Sequence, residues 1–218
     1  DCLVHHQIKL VLHDIKKRIQ KASGAFYKMS KVLRDPNLSH KMRIGTYEAT
    51  VLNILLFGCE SWALKEEDRR KLEACHHKFL RSMLGISMLQ VKDQHIKNST
   101  VRQQIGSYSL EQSMELRRAR WLEKLSKMPI TRNPRKMFLA WMPDSRPVGR
   151  PYQTIKKGYA TTFEKTLELS GEIKKWMPMA RDPNRWGPHI EWKLSLAPGT
   201  TFRTNSEFRK YKILSRET

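Results

Sequence analysis

The stretch SHKMRIGTYEATVLNILLFGCESW, Ser39 to Trp62, starts basic at Lys41 and Arg43, turns apolar on nearly every side from Val51 to Phe57, and stops at Gly58. A helix that is apolar all round belongs inside a fold. The second half of this segment is therefore expected to be the most buried part of the chain. Ser39 suits an N-cap, because a hydroxyl there accepts a hydrogen bond from an unpaired amide of the first turn. Gly58 suits the stop, since glycine enters the left-handed conformation that ends many helices, and Trp62 beyond it is placed to cover the core.

The flanking segments supply what such a helix packs against. Upstream, Ile8, Val11, Leu12, Ile15, Ile19, Ala22, Phe26, Met29 and Leu33 recur in steps of mostly three and four, the mark of one helical face about 25–30 residues long. Its other side carries Lys9, Lys16, Lys17, Arg18, Lys21, Lys28 and Lys31. Asp35-Pro36-Asn37 ends it, because proline has no amide to donate and disfavours helical dihedrals in the residue before it. Downstream, Glu66 to Leu84 predicts a third helix, with Glu66, Glu67 and Asp68 in the first turn where the helix dipole favours anions. Leu72, Cys75 or His76, Phe79, Leu80 and Met83 form its inner face.

Past Gly85 the pattern weakens. Thr100-Val-Arg-Gln103 and Ser109-Leu-Glu-Gln112 both fit the capping box, a hydroxyl followed three residues on by glutamine. They predict a short helix near 100–105 and a longer one near 110–127, the latter with Leu110, Met114, Leu116, Trp121, Leu122 and Leu125 as its apolar side. Prolines at 129, 134, 143, 147 and 151 then punctuate a loop-rich stretch in which Arg135 to Trp141 sustains about two turns. A further helix fits 152–169. Beyond Gly171, tryptophans and prolines mix without a helical period, and only 202–213 hints at strand alternation. The expected fold class is all-α: a helical bundle over 1–87, a basic, proline-rich helical region over 88–170, and a Trp/Pro-rich tail over 171–218.

The 218 residues carry 42 Lys and Arg against 21 Asp and Glu, a formal net charge of +21. So large an excess resists compaction unless a polyanion or counterions offset it, and nucleic acid is the natural partner. The excess is spread along the chain, with 19 basic and 10 acidic residues over 1–108, 13 and 6 over 109–170, and 10 and 5 over 171–218. The longest apolar run, Val51 to Gly58, is interrupted by Asn53 and is far shorter than the ~20 residues of a membrane span, so no membrane partner is expected. Three cysteines, Cys2, Cys59 and Cys75, are too few and too odd for a disulfide framework and suit a reducing, intracellular setting. The start at Asp1-Cys2-Leu3 reads as that of a fragment.

The order of landmarks resembles the thumb and post-thumb region of non-LTR (LINE-type) retrotransposon reverse transcriptases. Ile15-Lys-Lys-Arg-Ile19 with Ala22 and Ala25-Phe26 stands where that family has an "RI..A..AF" helix. Leu55-Leu56-Phe57-Gly58 with Glu60 and Trp62 stands at its "LLYG.E.W", and Leu72 to Ile86 at its "LE..H...LR..L.I" helix. Arg117-Arg-Ala-Arg-Trp-Leu122 and Arg146-Pro-Val-Gly-Arg-Pro151 match the later "RR..WL" and "GRP" segments. The likeness runs from about Ile8 to Tyr159. Glu123-Lys124 replaces the family's Gly-His, so the role of that histidine does not carry over. The family's palm holds an aromatic-Ala-Asp-Asp metal site, and this chain has no Asp-Asp pair. The resemblance implies a non-catalytic grip on RNA, DNA or a hybrid duplex, a palm and fingers upstream in a longer polyprotein, and a nuclear or cytoplasmic ribonucleoprotein setting. A stand-alone basic scaffold, the remnant of an element with no polymerase attached, is the other reading.

The candidate nucleic-acid contacts are Lys16, Lys17, Lys28, Lys41, Arg43, Arg117, Arg118, Arg120, Lys124, Lys127, Arg146, Arg150, Lys156 and Lys157. They are densest over 110–157, where twelve basic and four acidic residues interleave with Trp121, Phe138, Trp141 and Tyr152, a composition suited to phosphate tracking with occasional base stacking. Val148-Gly-Arg-Pro151 approaches the Arg-Gly-Arg-Pro core of a minor-groove hook, but Val148 stands where the first arginine is needed. Cys75-His76-His77 cannot converge on one metal ion, because adjacent helical residues point about 100° apart. No cofactor and no independent catalysis are expected: His13-Asp14, Glu66-Glu67-Asp68 and His189-Ile-Glu191 all have surface or capping explanations.

Overall fold

The computed structural model describes residues 2–62, 64–139, 159, 173–182 and 184–186, with side chains placed from 14 to 136, at 159, and from 177 onward within those ranges. Every regular element among them is helical. Helix α1 (Cys2–Lys28) continues after a break into α2 (Ser30–Leu33), and Asn37 then donates its amide to the Asp35 carboxylate at 2.9 Å, closing the turn that Pro36 forces. Ser39 caps α3 (His40–Tyr47), its hydroxyl accepting from the amide of Met42.

Helix α3 does not run straight to Gly58. It widens into a π-helical turn, Glu48–Leu52, and resumes as α4 (Asn53–Leu55). The sequence supplies a cause. Thr46, Thr50 and Asn53 each turn a side chain back onto the carbonyl four residues earlier, at 3.0, 2.7 and 2.8 Å, competing with the amides that would take those carbonyls and loosening the ladder. Gly58 (φ 77°) occupies the left-handed region, as the stop requires, and a 3₁₀ turn (Cys59–Ser61) leads to a buried Trp62. Val51, Leu52, Leu55 and Leu56 are buried, whereas Phe57 is 62% exposed, so the segment is less uniformly internal than its composition suggests.

Helix α5 (Glu66–Leu84) has the predicted limits and buries Leu72, Phe79, Leu80 and Met83, with His76 rather than Cys75 facing fully inward. Phe26 of α1 stacks on Phe79, ring centroids 4.7 Å apart, and Tyr47 meets the same ring edge-on at 6.2 Å. These three rings join the first three long segments. In the next stretch a further helix, α6 (Met88–Asp93), forms on a complete capping box from Ser87 and Gln90. The short helix expected near 100–105 is present as α7 (Asn98–Ile105), but the Thr100 box does not open it: Lys97 is at the cap, with no side-chain cap bond. Burial of Val101 and Ile105 sets its register instead.

The box at Ser109 and Gln112 forms as read and opens α8 (Leu110–Lys127). Its start belongs to the first core, through Leu110 and Met114, while Ala119, Leu122 and Leu125 build a second cluster with Tyr159, Ala180 and Trp186. Helix α9 (Asn133–Leu139) covers the two turns expected near Arg135. The tail holds a helix the sequence reading missed, α10 (Ile173–Arg181), with Pro178 inside it, then a helical turn ending at Trp186. Trp186 is wholly buried and donates its indole N–H to the Ala119 carbonyl at 2.9 Å. The helix expected over 152–169, apart from Tyr159, and the strand hint at 202–213 lie outside the described residues. No described helix is long and apolar enough to cross a membrane.

Candidate nucleic-acid interface

Helix α8 places Arg117, Arg120, Trp121 and Lys124 at i, i+3, i+4 and i+7, which is one stripe. The stripe forms a wall of an open groove of about 500 Å³, and Gly45 of α3, Glu48, Ala49 and Leu52 of the π turn and Asn53 of α4 form the opposite wall. Arg117 is fixed across it by a hydrogen bond from Nη2 to Asn53 Oδ1. Arg120 and Lys124 are exposed, and neither makes an ion pair among the described residues. Trp121 is half-buried against the second cluster and lines the groove, combining the packing role expected of it with an accessible edge. Glu48 and Glu60 also line the groove.

The other expected contacts scatter. Arg118 lies on a different face of α8, its guanidinium 5.9 Å from the centre of the Tyr159 ring and 3.5 Å from the Trp62 carbonyl. Lys127 pairs with Glu123 at 2.7 Å. Lys16, Lys17 and Lys41 are exposed away from the groove, and Lys28 lines a separate one on α1. Arg43 leaves the set. It is 6% exposed and donates from Nη1 to the Met83 carbonyl at 2.7 Å. That carbonyl is among the last of α5, which have no partner within the helix and attract cations, so Arg43 closes a helix end inside the core. Its Nε has no partner. Arg146, Arg150, Lys156 and Lys157 lie outside the described residues.

Arg18 and Lys21, read as part of the basic side of the first helix but not among the candidate contacts, line that second groove with Lys28. Their spacing with Ala25 and Lys28 on α1, at i, i+3, i+7 and i+10, was the available signal.

The histidines have structural partners. His76 Nδ1 accepts from the Tyr47 hydroxyl at 2.8 Å and Nε2 donates toward the Tyr108 carbonyl at 3.4 Å. His77 Nδ1 donates to the Glu73 carbonyl, and Nε2 accepts from Arg102, both at 2.9 Å. Each ring therefore has one donor and one acceptor role, which only neutral imidazole can fill. Burial pulls His76 down to about 3 and His77 to about 4, with His77 and Arg102 respectively adding to the effect. Burial also raises Cys59 to about 12 and Cys75 to about 11, so neither is a ready thiolate. No three His, Cys, Asp or Glu side chains among the described residues are grouped to hold a metal ion.

Comparison with protein-family models, curated proteins and solved structures yields no match for this chain.

Proposed function

We propose that the chain is a non-catalytic, nucleic-acid-gripping piece of a LINE-type reverse transcriptase, comparable to the thumb and its C-terminal connection. The observation that carries the grip is the stripe Arg117, Arg120, Trp121 and Lys124 along one groove wall. Three cations on one helical line match a run of phosphates, and the tryptophan between them offers a stacking edge. Phosphate contacts position a protein without reading sequence, so the grip tolerates any sequence and weakens with salt. The ordered landmarks from Ile8 to Tyr159 support the reverse-transcriptase origin, and the missing Asp-Asp pair supports a role apart from nucleotidyl transfer. On this reading the chain works inside the cell, in the nucleus, beside a palm domain.

The test compares binding to RNA–DNA hybrid and DNA duplexes of several unrelated sequences at one salt concentration. Affinities within about threefold across sequences of one duplex type are expected, against the ~1–3 kcal/mol that a mismatched base costs a sequence reader. A strong preference for one sequence, or no binding at low salt, contradicts the proposal.

A further inference from the structure

A second groove, of about 830 Å³, lies between α1 and the other flank of the π-helical turn. Arg18, Lys21 and Lys28 rim it on the α1 side, Ala25, Ile54 and Phe57 supply apolar surface, and no lining side chain is acidic. From Arg18 to Lys28 the groove follows α1 for about 15 Å, roughly three helical turns.

We infer that this groove docks an acidic amphipathic helix of a partner protein. The surface between the cations selects for this occupant over nucleic acid. Its side-chain polar groups are already engaged: the Thr50 hydroxyl donates to the Thr46 carbonyl, while Asn53 donates to the Ala49 carbonyl and accepts from Arg117. Between the rims the one uncommitted side-chain donor is the second amide hydrogen of Asn53, too little for a run of phosphates or base edges, whereas the apolar face of a helix needs none. Gly24 and Ala49 let a second backbone come close; a Cβ built on Gly24 would have no atom within 4 Å.

The rims supply charge complementarity. Lys21 and Lys28 make no ion pair among the described residues. Arg18, held by Asp14 at 3.3 Å, lies over the Phe57 ring at 4.6 Å, presenting an aromatic anchor with a cation beside it. Apolar anchors at i, i+3 or i+4 and i+7 with glutamate or aspartate on the flanks fit this helix-in-groove arrangement. The inference does not depend on the nucleic-acid reading.

The test selects a displayed library of helix-favouring peptides, about 15 residues long, against the whole chain with excess oligothymidylate present. Peptides with apolar anchors flanked by acids are expected. Their affinity should fall at least about tenfold in Phe57→Glu and in Gly24→Gln, and remain unchanged in Arg120→Gln. Both groove variants should keep their fold in a thermal melt, since Phe57 is exposed and replacing a mid-helix glycine favours the helix. Selected peptides that bind all variants equally, or that lack acidic flanks, overturn the inference. So does a selection that returns no peptide sensitive to Gly24→Gln. If such peptides emerge only when oligothymidylate is left out, the groove belongs to nucleic acid.

Discussion

The grooves on either side of the π-helical turn share Ala49 and Asn53, and each has three cations on an outer helix. Their remaining surfaces differ. The α8 groove offers carboxylates, a tyrosine and a half-buried tryptophan, while the α1 groove offers alanines, an isoleucine and an exposed phenylalanine. Net charge alone makes both look like nucleic-acid surfaces. What lies between the cations decides whether a polar backbone or an apolar helix face fits. The segment Glu48 to Leu55 forms a ridge between the two grooves.

The largest expected effect breaks that ridge. Leu55 is fully buried, and Leu55→Ala should cost about 2–5 kcal/mol, read by denaturant unfolding. A cost below about 1 kcal/mol would show that the ridge is not anchored in the core.

Acid attacks the same anchor through His76 and His77. Their folded values, about 3 and about 4, lie below the ordinary 6.5, so the unfolded chain takes up protons first as pH falls. Stability from this source is complete above pH 6.5 and declines below it, by about 1.4 kcal/mol per pH unit for each histidine until its folded value is reached. His76→Gln should flatten the decline between pH 6 and 4; a slope that ignores the substitution would mean that the histidines do not govern acid stability.

Arg43→Ala is smaller and sharpens the distinction between structural and binding cations. Losing the bond to the Met83 carbonyl should cost about 1–3 kcal/mol. Nucleic-acid affinity should not change. Lost affinity at unchanged stability would return Arg43 to the binding set.

Much of the fold was legible because its signals were local. Periodicity located α1, first-turn acids and Gly85 bounded α5, and the Ser109 box opened α8. What escaped depended on partners distant in the chain. Nothing near Trp186 predicts that its indole reaches Ala119, and nothing near Arg43 marks the Met83 carbonyl forty residues on. The Thr100 box lost to the burial of Val101 and Ile105, where tertiary packing overrode a capping preference. For the candidate site, composition singled out the basic run of α8, but helical phase separates Arg118 from Arg117, Arg120 and Lys124. The groove walls came from the π turn, which the threonine spacing hints at only once the back-bonds are seen.

We propose above all that the α8 stripe grips phosphate. That grip is tested most directly by the salt dependence of duplex binding in a variant with Arg117, Arg120 and Lys124 all replaced by glutamine, each measurement paired with a melt. The slope of log K against log salt should flatten by up to about 0.9 for each phosphate no longer neutralised, so by up to about 2.7 for three, with the melting temperature little changed. An unchanged slope in a folded variant would contradict the claim and move the grip to the lysines of α1.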